Sequence, residues 1–266
     1  MTRAFKGAAD SNSYHRSGAT ETFQGSPNAE ITAIKLWRYN LQPKWCDDEQ
    51  ASTNMTLAHG TDWLESARLV LRRMVPDDLP FFTRIHALPE VAQHLYRSGR
   101  PRTPEETAAF LRYTLASYQQ LALGYLAVVR KQDGALIGRC GIMDLVVEAA
   151  TPEHGVRRGW FGREDAPAGI ALTYECELGY TFDPAVWGQG FATEAACCVR
   201  DYARDVLRWP FAISAILPQN SRSRRVAERS GARPDGQMHV VGATWDRYLW
   251  PLASGGEARL RPVSAE

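Results

Sequence analysis

The stretch AVWGQGFATEAACCVR, residues 185–200, constrains the fold of this chain more than any other. Gly188 and Gly190 flank Gln189, directly after a strand-like run and directly before an alanine-rich run with helical spacing. Glycine lets the backbone turn tightly and approach a ligand without an intervening Cβ atom. The first turn of a helix exposes N–H groups and a partial positive charge, which favour anions. The stretch therefore predicts either an anion-binding strand–loop–helix unit or a simple bend made of glycine.

The helix after this loop should run from Phe191 to about Leu207. Its apolar residues recur at helical spacing, which would fix the helix against a sheet. They are Ala192, Ala195, Ala196, Val199, Ala203 and Val206. No Gly-Lys-Ser/Thr follows the glycines, and no third glycine completes a dinucleotide fingerprint. The loop is therefore neither a Walker loop nor a Rossmann turn.

The remaining pattern predicts a mixed α+β domain. A strand in SARLVLRRM is followed by a helix in VPDDLPFFTRIHAL, and a second helix starts with a Thr103/Glu106 capping box. Asp133-Gly134 joins two β-rich runs as a hairpin. The strand YECELGYTF, the glycine loop, and a final β-α-ββ series complete the order, with the second helix of that half opening at Asn220.

Three segments stand apart from this pattern. Residues 1–60 are rich in small polar residues, and we expect a disordered or non-native extension, with Met55 as an alternative start. The opposing clue is the apolar cluster ITAIKLWRYNL, residues 31–41. Residues 151–170 have turn-forming composition and no period, which is typical of a functional or disordered loop. The domain itself should span 61–253, with a flexible tail over 254–266.

Composition excludes several classes of function. The 31 basic and 30 acidic side chains nearly cancel, so nothing in the charge favours nucleic acid or a membrane surface. Five scattered cysteines form no CxxC pair and no zinc-ligand spacing, so we expect no metal and reduced thiols in a cytoplasmic protein. No apolar run of about 18 residues predicts a membrane span, and the first residues do not have the order of a signal peptide.

The window ELGYTFDPAVWGQGFATEA resembles the acyl-CoA-binding motif of the GNAT N-acetyltransferase superfamily. The motif Gln/Arg-x-x-Gly-x-Gly/Ala is matched over 187–192, with Trp187 at its first position. An aromatic residue there is similar to the branch of ribosomal-protein alanine acetyltransferases of RimJ/RimL type. PQNSRSRRVAERSGAR resembles the second half of the signature, and the resemblance covers roughly residues 64–252.

The resemblance implies direct transfer of an acetyl group from acetyl-CoA to a primary amine. It implies a mixed central sheet of about six to seven strands flanked by helices and splayed after the 174–182 strand. The CoA-binding residues it implies are Tyr180, Phe182, Trp187, Gly188, Gln189, Gly190, Phe191, Ala192, Thr193 and Asn220.

The resemblance also implies catalytic groups. Glu177 in ECELGY matches a strand glutamate that often serves as base in the family, and Glu175 has the same parity and is the alternative. Either carboxylate could instead attract cationic amines at the rim. Ser223 matches a serine that protonates the departing thiolate, with Tyr248 as its rival. The basic side chains Arg222, Arg225 and Arg229 either meet the 3′-phosphate of CoA or form a solvated face.

The acceptor class stays open at this level. The branch acetylates protein N-termini, antibiotic amino groups and small metabolite amines, and it allows a homodimer. The competing interpretation is a non-catalytic acyl-CoA-binding or interaction module that keeps the loop without a productive acceptor site.

Overall fold

The computed structural model describes residues 63–95, 99–118, 124–149, 156–160, 166–240 and 242–252. The expectations for residues 1–60 and for the tail at 254–266 lie outside these residues.

The described chain contains nine strands, not the six to seven expected. The strands are β1 Trp63–Glu65, β2 Leu69–Arg73, β3 Tyr125–Arg130, β4 Leu136–Glu148, β5 Arg157–Trp160, β6 Leu172–Phe182, β7 Phe211–Ile216, β8 Arg233–Val240 and β9 Ala243–Pro251. The helices are α1 Leu79–His86, α2 Pro89–Leu95, α3 Pro104–Ser117, α4 Phe191–Asp205 and α5 Ser221–Arg229.

Local chemistry explains the start of two helices. Thr103 accepts a hydrogen bond from the Glu106 N–H at 3.2 Å, and the Glu106 carboxylate accepts from the Thr103 N–H at 2.9 Å. This is the predicted capping box, with Pro104 at the first helical position. Asn220 caps α5 by accepting from the Ser223 N–H at 3.0 Å, as predicted.

Two helix expectations need correction. The run from Val75 onward forms a short 3-10 turn over Pro76–Asp78 before α1, and a separate α2 follows. Pro80 and Pro89 lie near the two helix starts, where the backbone N–H that proline lacks would have no partner within the helix. Val206 lies beyond the end of α4 and is exposed, so it does not belong to the buried face of that helix.

The strands form one sheet in the order β1-β2-β3-β4-β5-β8-β9-β7-β6. Because β6 also pairs with β4 along its whole length, the last six strands close into a ring. The contact between β6 and β7 is the narrowest, with one parallel register pair, Glu177 with Ile213. The expected splay after the 174–182 strand is therefore present at this junction.

The apolar core lies on two faces of the sheet and inside the ring. α4 and α5 cover one face with small side chains such as Ala195, Ala196 and Ala227. α1 and α3 cover the other face around Phe82 and Leu111. The ring encloses a third cluster, which includes Met238 and Trp245.

The insertion at 151–170 is not turn structure throughout, which corrects that expectation. Residues 157–160 form β5, antiparallel to β4 and parallel to β8. Arg157 pairs with Glu175, and Arg158 with Glu148 at 2.9 Å. These partners are distant in sequence, so no local periodicity of apolar and polar residues predicts β5.

Candidate functional site

The glycine loop presents bare backbone at the start of α4. Gly188 and Gly190 have φ of +78° and +83°, a region that L side chains rarely adopt. A Cβ atom built on Gly188 would meet nothing within 4 Å, and one on Gly190 would meet only the Arg68 Nη2 atom at 3.4 Å. No side chain caps α4, so the N–H groups of its first turn have no partner within the helix. The loop can therefore accept an anion at close range.

Arg68, from the turn before β2, braces this loop. Its Nη1 donates to the Gln189 carbonyl at 3.1 Å, and its Nε pairs with Glu194 at 2.6 Å. The guanidinium also stacks on the Phe191 ring, 4.3 Å from the centroid. Sequence reasoning missed Arg68, because the contact spans more than 120 residues and no local pattern marks it.

Trp187 links the loop to α5. Its indole N–H donates to the Phe182 carbonyl at 2.9 Å, which holds the ring against the end of β6. The Arg222 guanidinium lies over that ring, 4.7 Å from its centroid. Burial and the Arg222 charge both lower the pKa of His94, at the end of α2. Arg222 therefore lies against the loop and within electrostatic reach of α2.

A second link crosses from β6 to α5. The Tyr180 hydroxyl donates to the Ser223 carbonyl at 2.9 Å. Ser223 uses its N–H for the Asn220 cap and its carbonyl for Tyr180, which leaves its hydroxyl at the first turn of α5. Tyr180, Ser223 and Asn220 thus lie together on the α4/α5 side of the fork between β6 and β7.

The remaining loop residues divide by burial. Phe182 and Phe191 are buried in the core, so only their backbone groups face a ligand. Ala192 and Thr193 are partly buried in the first turn of α4, and Gln189 is exposed. Exposed basic side chains lie along α5 at Arg222, Arg225 and Arg229.

Glu177 lies on the opposite face of β6, at the register pair that joins β6 to β7. Side chains alternate along a strand, so Glu177 points away from Leu178 and the α4 side. Burial raises the pKa of Glu177 to about 7, although a hydrogen bond from the Ala215 N–H and the Arg139 charge oppose the shift. A carboxylate with this pKa is suited to accept a proton at neutral pH.

Glu175 has a different environment although it shares that face. Its side chain is fully buried and pairs with Arg157 and with Arg247, the latter at 2.9 Å. Arg247 also pairs with Asp235. A carboxylate held by two guanidinium groups inside the ring is occupied by those groups, so the geometry favours Glu177 over Glu175 as a base.

Tyr248 forms a hydrogen bond with a residue of α5. Its hydroxyl lies 3.2 Å from a Glu228 carboxylate oxygen, and the residue is buried. Burial, together with Glu228, raises the pKa of Tyr248. This bond directs the hydroxyl toward Glu228 on α5.

A comparison with known families identifies this arrangement. The acetyltransferase (GNAT) domain family matches residues 68–233, which is more than half of the chain. The chain belongs to the GNAT acetyltransferase family. The matched range begins at Arg68, which braces the glycine loop, and includes the loop, Glu177 and α5.

Solved GNAT structures have the same fold. The acetyltransferase from Agrobacterium tumefaciens is 25% identical with a TM-score of 0.53, over 71% of this chain and 93% of that one. RimL, described as a ribosomal L7/L12 α-N-protein acetyltransferase in complex with CoA, has a TM-score of 0.51 at 14% identity, over 71% of this chain and 98% of that one. AAC(6')-Ib in complex with paromomycin and acetyl-CoA has a TM-score of 0.51 at 15% identity, over 69% and 93%.

Among curated proteins, the GNAT chain matches the uncharacterized protein YkkB of Bacillus subtilis. The two are 30% identical over 101 residues, which is 38% of this chain and 45% of YkkB. The match therefore spans less than half of that relative. In the described residues, no helix is both long and apolar enough to cross a membrane, and no group of three or more His, Cys, Asp or Glu side chains is placed to hold a metal ion.

Proposed function

We propose that this GNAT domain transfers an acetyl group from acetyl-CoA to a primary amine, with Glu177 as the base. The observation that carries the proposal is the position of Glu177 at the single register pair between β6 and β7. Beside that fork stands a glycine loop at a helix N-terminus. A glycine loop suited to an anion thus follows the end of β6, and a carboxylate of pKa about 7 lies within the same strand.

The residues present fit acetyl-CoA. The left-handed glycines open space at the loop surface, so the pyrophosphate can approach the N–H groups of the first turn of α4. Arg222 lies over Trp187 beside the loop, and it suits the 3′-phosphate together with the other exposed arginines of α5. The backbone of β6 beyond Glu177 would offer groups to the pantetheine arm, in the way that a strand edge binds an extended ligand.

Acetyl-CoA supplies the acyl group, and the chain supplies the proton acceptor. An amine attacks a thioester carbonyl only when it is neutral, and a neighbouring carboxylate can accept its proton. Glu177 lies on the face of β6 away from α4, so the amine would approach from the α1–α3 side. Ser223 remains our proposal for the group that protonates the thiolate, because the hydrogen bond from Tyr180 to its carbonyl holds the start of α5 beside β6.

The acceptor class is a matter for experiment. A panel of peptide N-termini, aminoglycoside amines and small metabolite amines is incubated with acetyl-CoA. Free thiol release and mass spectrometry of the products report transfer. Acetylation of at least one amine class is the expected result. Binding of acetyl-CoA without turnover on any acceptor would contradict the proposal and support a non-catalytic module.

A cytoplasmic location and a homodimer remain predictions from the sequence. Light scattering of the purified protein measures the oligomeric state, and fractionation of the producing cell measures location. A monomer in solution over the working concentration range would contradict the dimer.

A further inference from the structure

The side chain of Tyr125 crosses the sheet toward Glu177. Tyr125 opens β3 and is opposite Gly141 of β4, which in turn is opposite Gly179 of β6. A Cβ atom at Gly179 would lie 2.8 Å from the Tyr125 hydroxyl oxygen. The phenol therefore extends across β4 and ends over the glycine two residues after Glu177, on the same face of the sheet. Any larger residue at 179 would displace it.

A buried cation covers the same ring. The Arg139 guanidinium lies 3.9 Å from the Tyr125 ring centroid, and Arg139 is only 5% exposed. Within the described residues, its Nε and Nη1 atoms are buried without a hydrogen-bond partner. Thr181, opposite Arg139 in the register, has a buried hydroxyl in the same condition. The positive charge is thus held beside the phenol and is not neutralised by an ion pair at those atoms.

Electrostatic interactions link Tyr125, Arg139 and Glu177. Burial raises the pKa of Tyr125 and the Glu177 carboxylate adds to that shift, whereas the Arg139 charge and a hydrogen bond from the Arg139 side chain oppose it. The same Arg139 charge lowers the pKa of Glu177 against the effect of burial. Charges act on one another more strongly in such a partly desolvated site than in water. These mutual effects agree with the geometry at Gly179.

Another tyrosine shows the contrasting, structural use of a phenol. The Tyr118 hydroxyl accepts from the Met74 N–H at 2.8 Å and donates to the Tyr125 carbonyl. Both hydrogen-bonding functions of Tyr118 thereby tie backbone segments together. The Tyr125 hydroxyl instead ends on the face where Glu177 and Arg139 meet.

We propose that Tyr125 is a second catalytic residue, whose hydroxyl contacts the reacting amine and passes its proton to Glu177, with Arg139 as the positioning residue that holds the phenol. This inference rests on the proposed acetyl transfer. In the step, an ammonium N–H bond breaks and its electron pair stays on nitrogen. The phenol oxygen takes that proton while its own proton moves to the Glu177 carboxylate. The phenol is regenerated, and the neutral amine attacks the acetyl carbonyl.

The test is Tyr125→Phe, which keeps the ring and its stack on Arg139. We expect kcat/KM for the acceptor to fall by about 10- to 100-fold near neutral pH. The KM for acetyl-CoA should stay at its wild-type value, and the variant should remain folded at the assay temperature. Tyr113→Phe, on α3, is the matched control and should leave all of these values unchanged. Unchanged acceptor kinetics in Tyr125→Phe would overturn the role of Tyr125.

A second measurement reports the protonation of Glu177. The phenol hydroxyl stabilises the Glu177 carboxylate by donating to it, so Tyr125→Phe should move the acid limb of the pH–rate profile to higher pH. Infrared difference spectroscopy of the protonated carboxyl, assigned by its loss in Glu177→Gln, should show the same shift without turnover. A carboxyl that titrates identically in wild type and Tyr125→Phe would overturn the contact. Wild-type protein that acetylates no amine would instead refute the proposed function, and the role of Tyr125 with it.

Discussion

At the residue scale, two carboxylates on one strand face have opposite environments. Glu175 is fully buried with Arg157 and Arg247 as ion-pair partners. Glu177, two residues later, has its pKa raised to about 7 because burial outweighs the Ala215 hydrogen bond and the Arg139 charge. The first arrangement stabilises structure, whereas the second suits proton transfer. Sequence parity alone could not separate them, because the arginines come from β5 and β9.

Substitution of the two carboxylates should separate these roles. Glu175→Gln removes the buried carboxylate that Arg157 and Arg247 share and leaves Asp235 as the carboxylate beside Arg247, and we expect a loss of about 3 kcal/mol in the free energy of unfolding. Urea unfolding at neutral pH measures it. Glu177→Gln is the control and should unfold near the wild-type midpoint, because its carboxyl gains no comparable ion pair. Equal midpoints for wild type and Glu175→Gln would show that the ion pairs do not stabilise the ring.

The glycine loop gives a second residue-scale prediction. Gly190→Val places a side chain where the pyrophosphate should approach, so calorimetric titration should show no acetyl-CoA binding. Gly236→Val is the matched control, because Gly236 has a similar φ of +82°, lies on β8 and would place its Cβ in open space. Both variants carry the same backbone strain. If the two variants bind acetyl-CoA equally well, the loop is not a phosphate cradle.

At the scale of elements, the sequence predicts what local chemistry determines. The capping box of α3, the Asp133-Gly134 hairpin, the start of α4 at Phe191 and the Asn220 cap of α5 all appear as expected. β1, α2 and β5 were missed, because short elements have no usable period and β5 depends on partners in β4 and β8. The site divides in the same way. The glycine loop follows from a motif, whereas Arg68 and Tyr125 reach it through long-range contacts.

β5 gives the prediction at this scale. Replacing residues 152–165 with a short glycine–serine linker removes β5 and the Arg157 partner of Glu175. A loss of about 3 kcal/mol would lower the melting temperature by about 6 to 12 °C. Scanning calorimetry measures this. An unchanged melting temperature with a raised KM for the acceptor would show that the segment only covers the acceptor cleft.

At the scale of the whole molecule, the two faces of the sheet carry different functional groups. The α4/α5 side carries the glycine loop, and the α1–α3 side carries Glu177, Tyr125 and a buried polar layer that includes His86. Burial lowers the pKa of His86 to about 2, with the Arg139 and Arg102 charges acting in the same direction. The neutral imidazole therefore belongs to the folded state.

This burial makes stability depend on pH. His86 has its ordinary pKa in the unfolded chain, so protonation favours unfolding. The contribution of neutral His86 to the free energy of unfolding is complete above pH about 6.5. It is lost as the pH falls toward the pKa of about 2 that His86 has in the folded state. Between pH 6 and 4.5 the loss should approach about 1.4 kcal/mol per pH unit. His86→Phe should lack this slope in urea unfolding at each pH, and an identical slope in both proteins would contradict the assignment.

The central claim is that Glu177 accepts the proton of the amine, and the pH dependence of kcat/KM for the acceptor tests it most directly. The wild-type profile should rise with pH through a limb near 7, because the base must be ionised. Glu177→Gln should lose that limb and fall by about 10²-fold or more at neutral pH, with acetyl-CoA affinity retained and part of the activity recovered at higher pH, where more of the amine is neutral. The same limb in Glu177→Gln, or a change confined to the KM of the acceptor, would contradict the account.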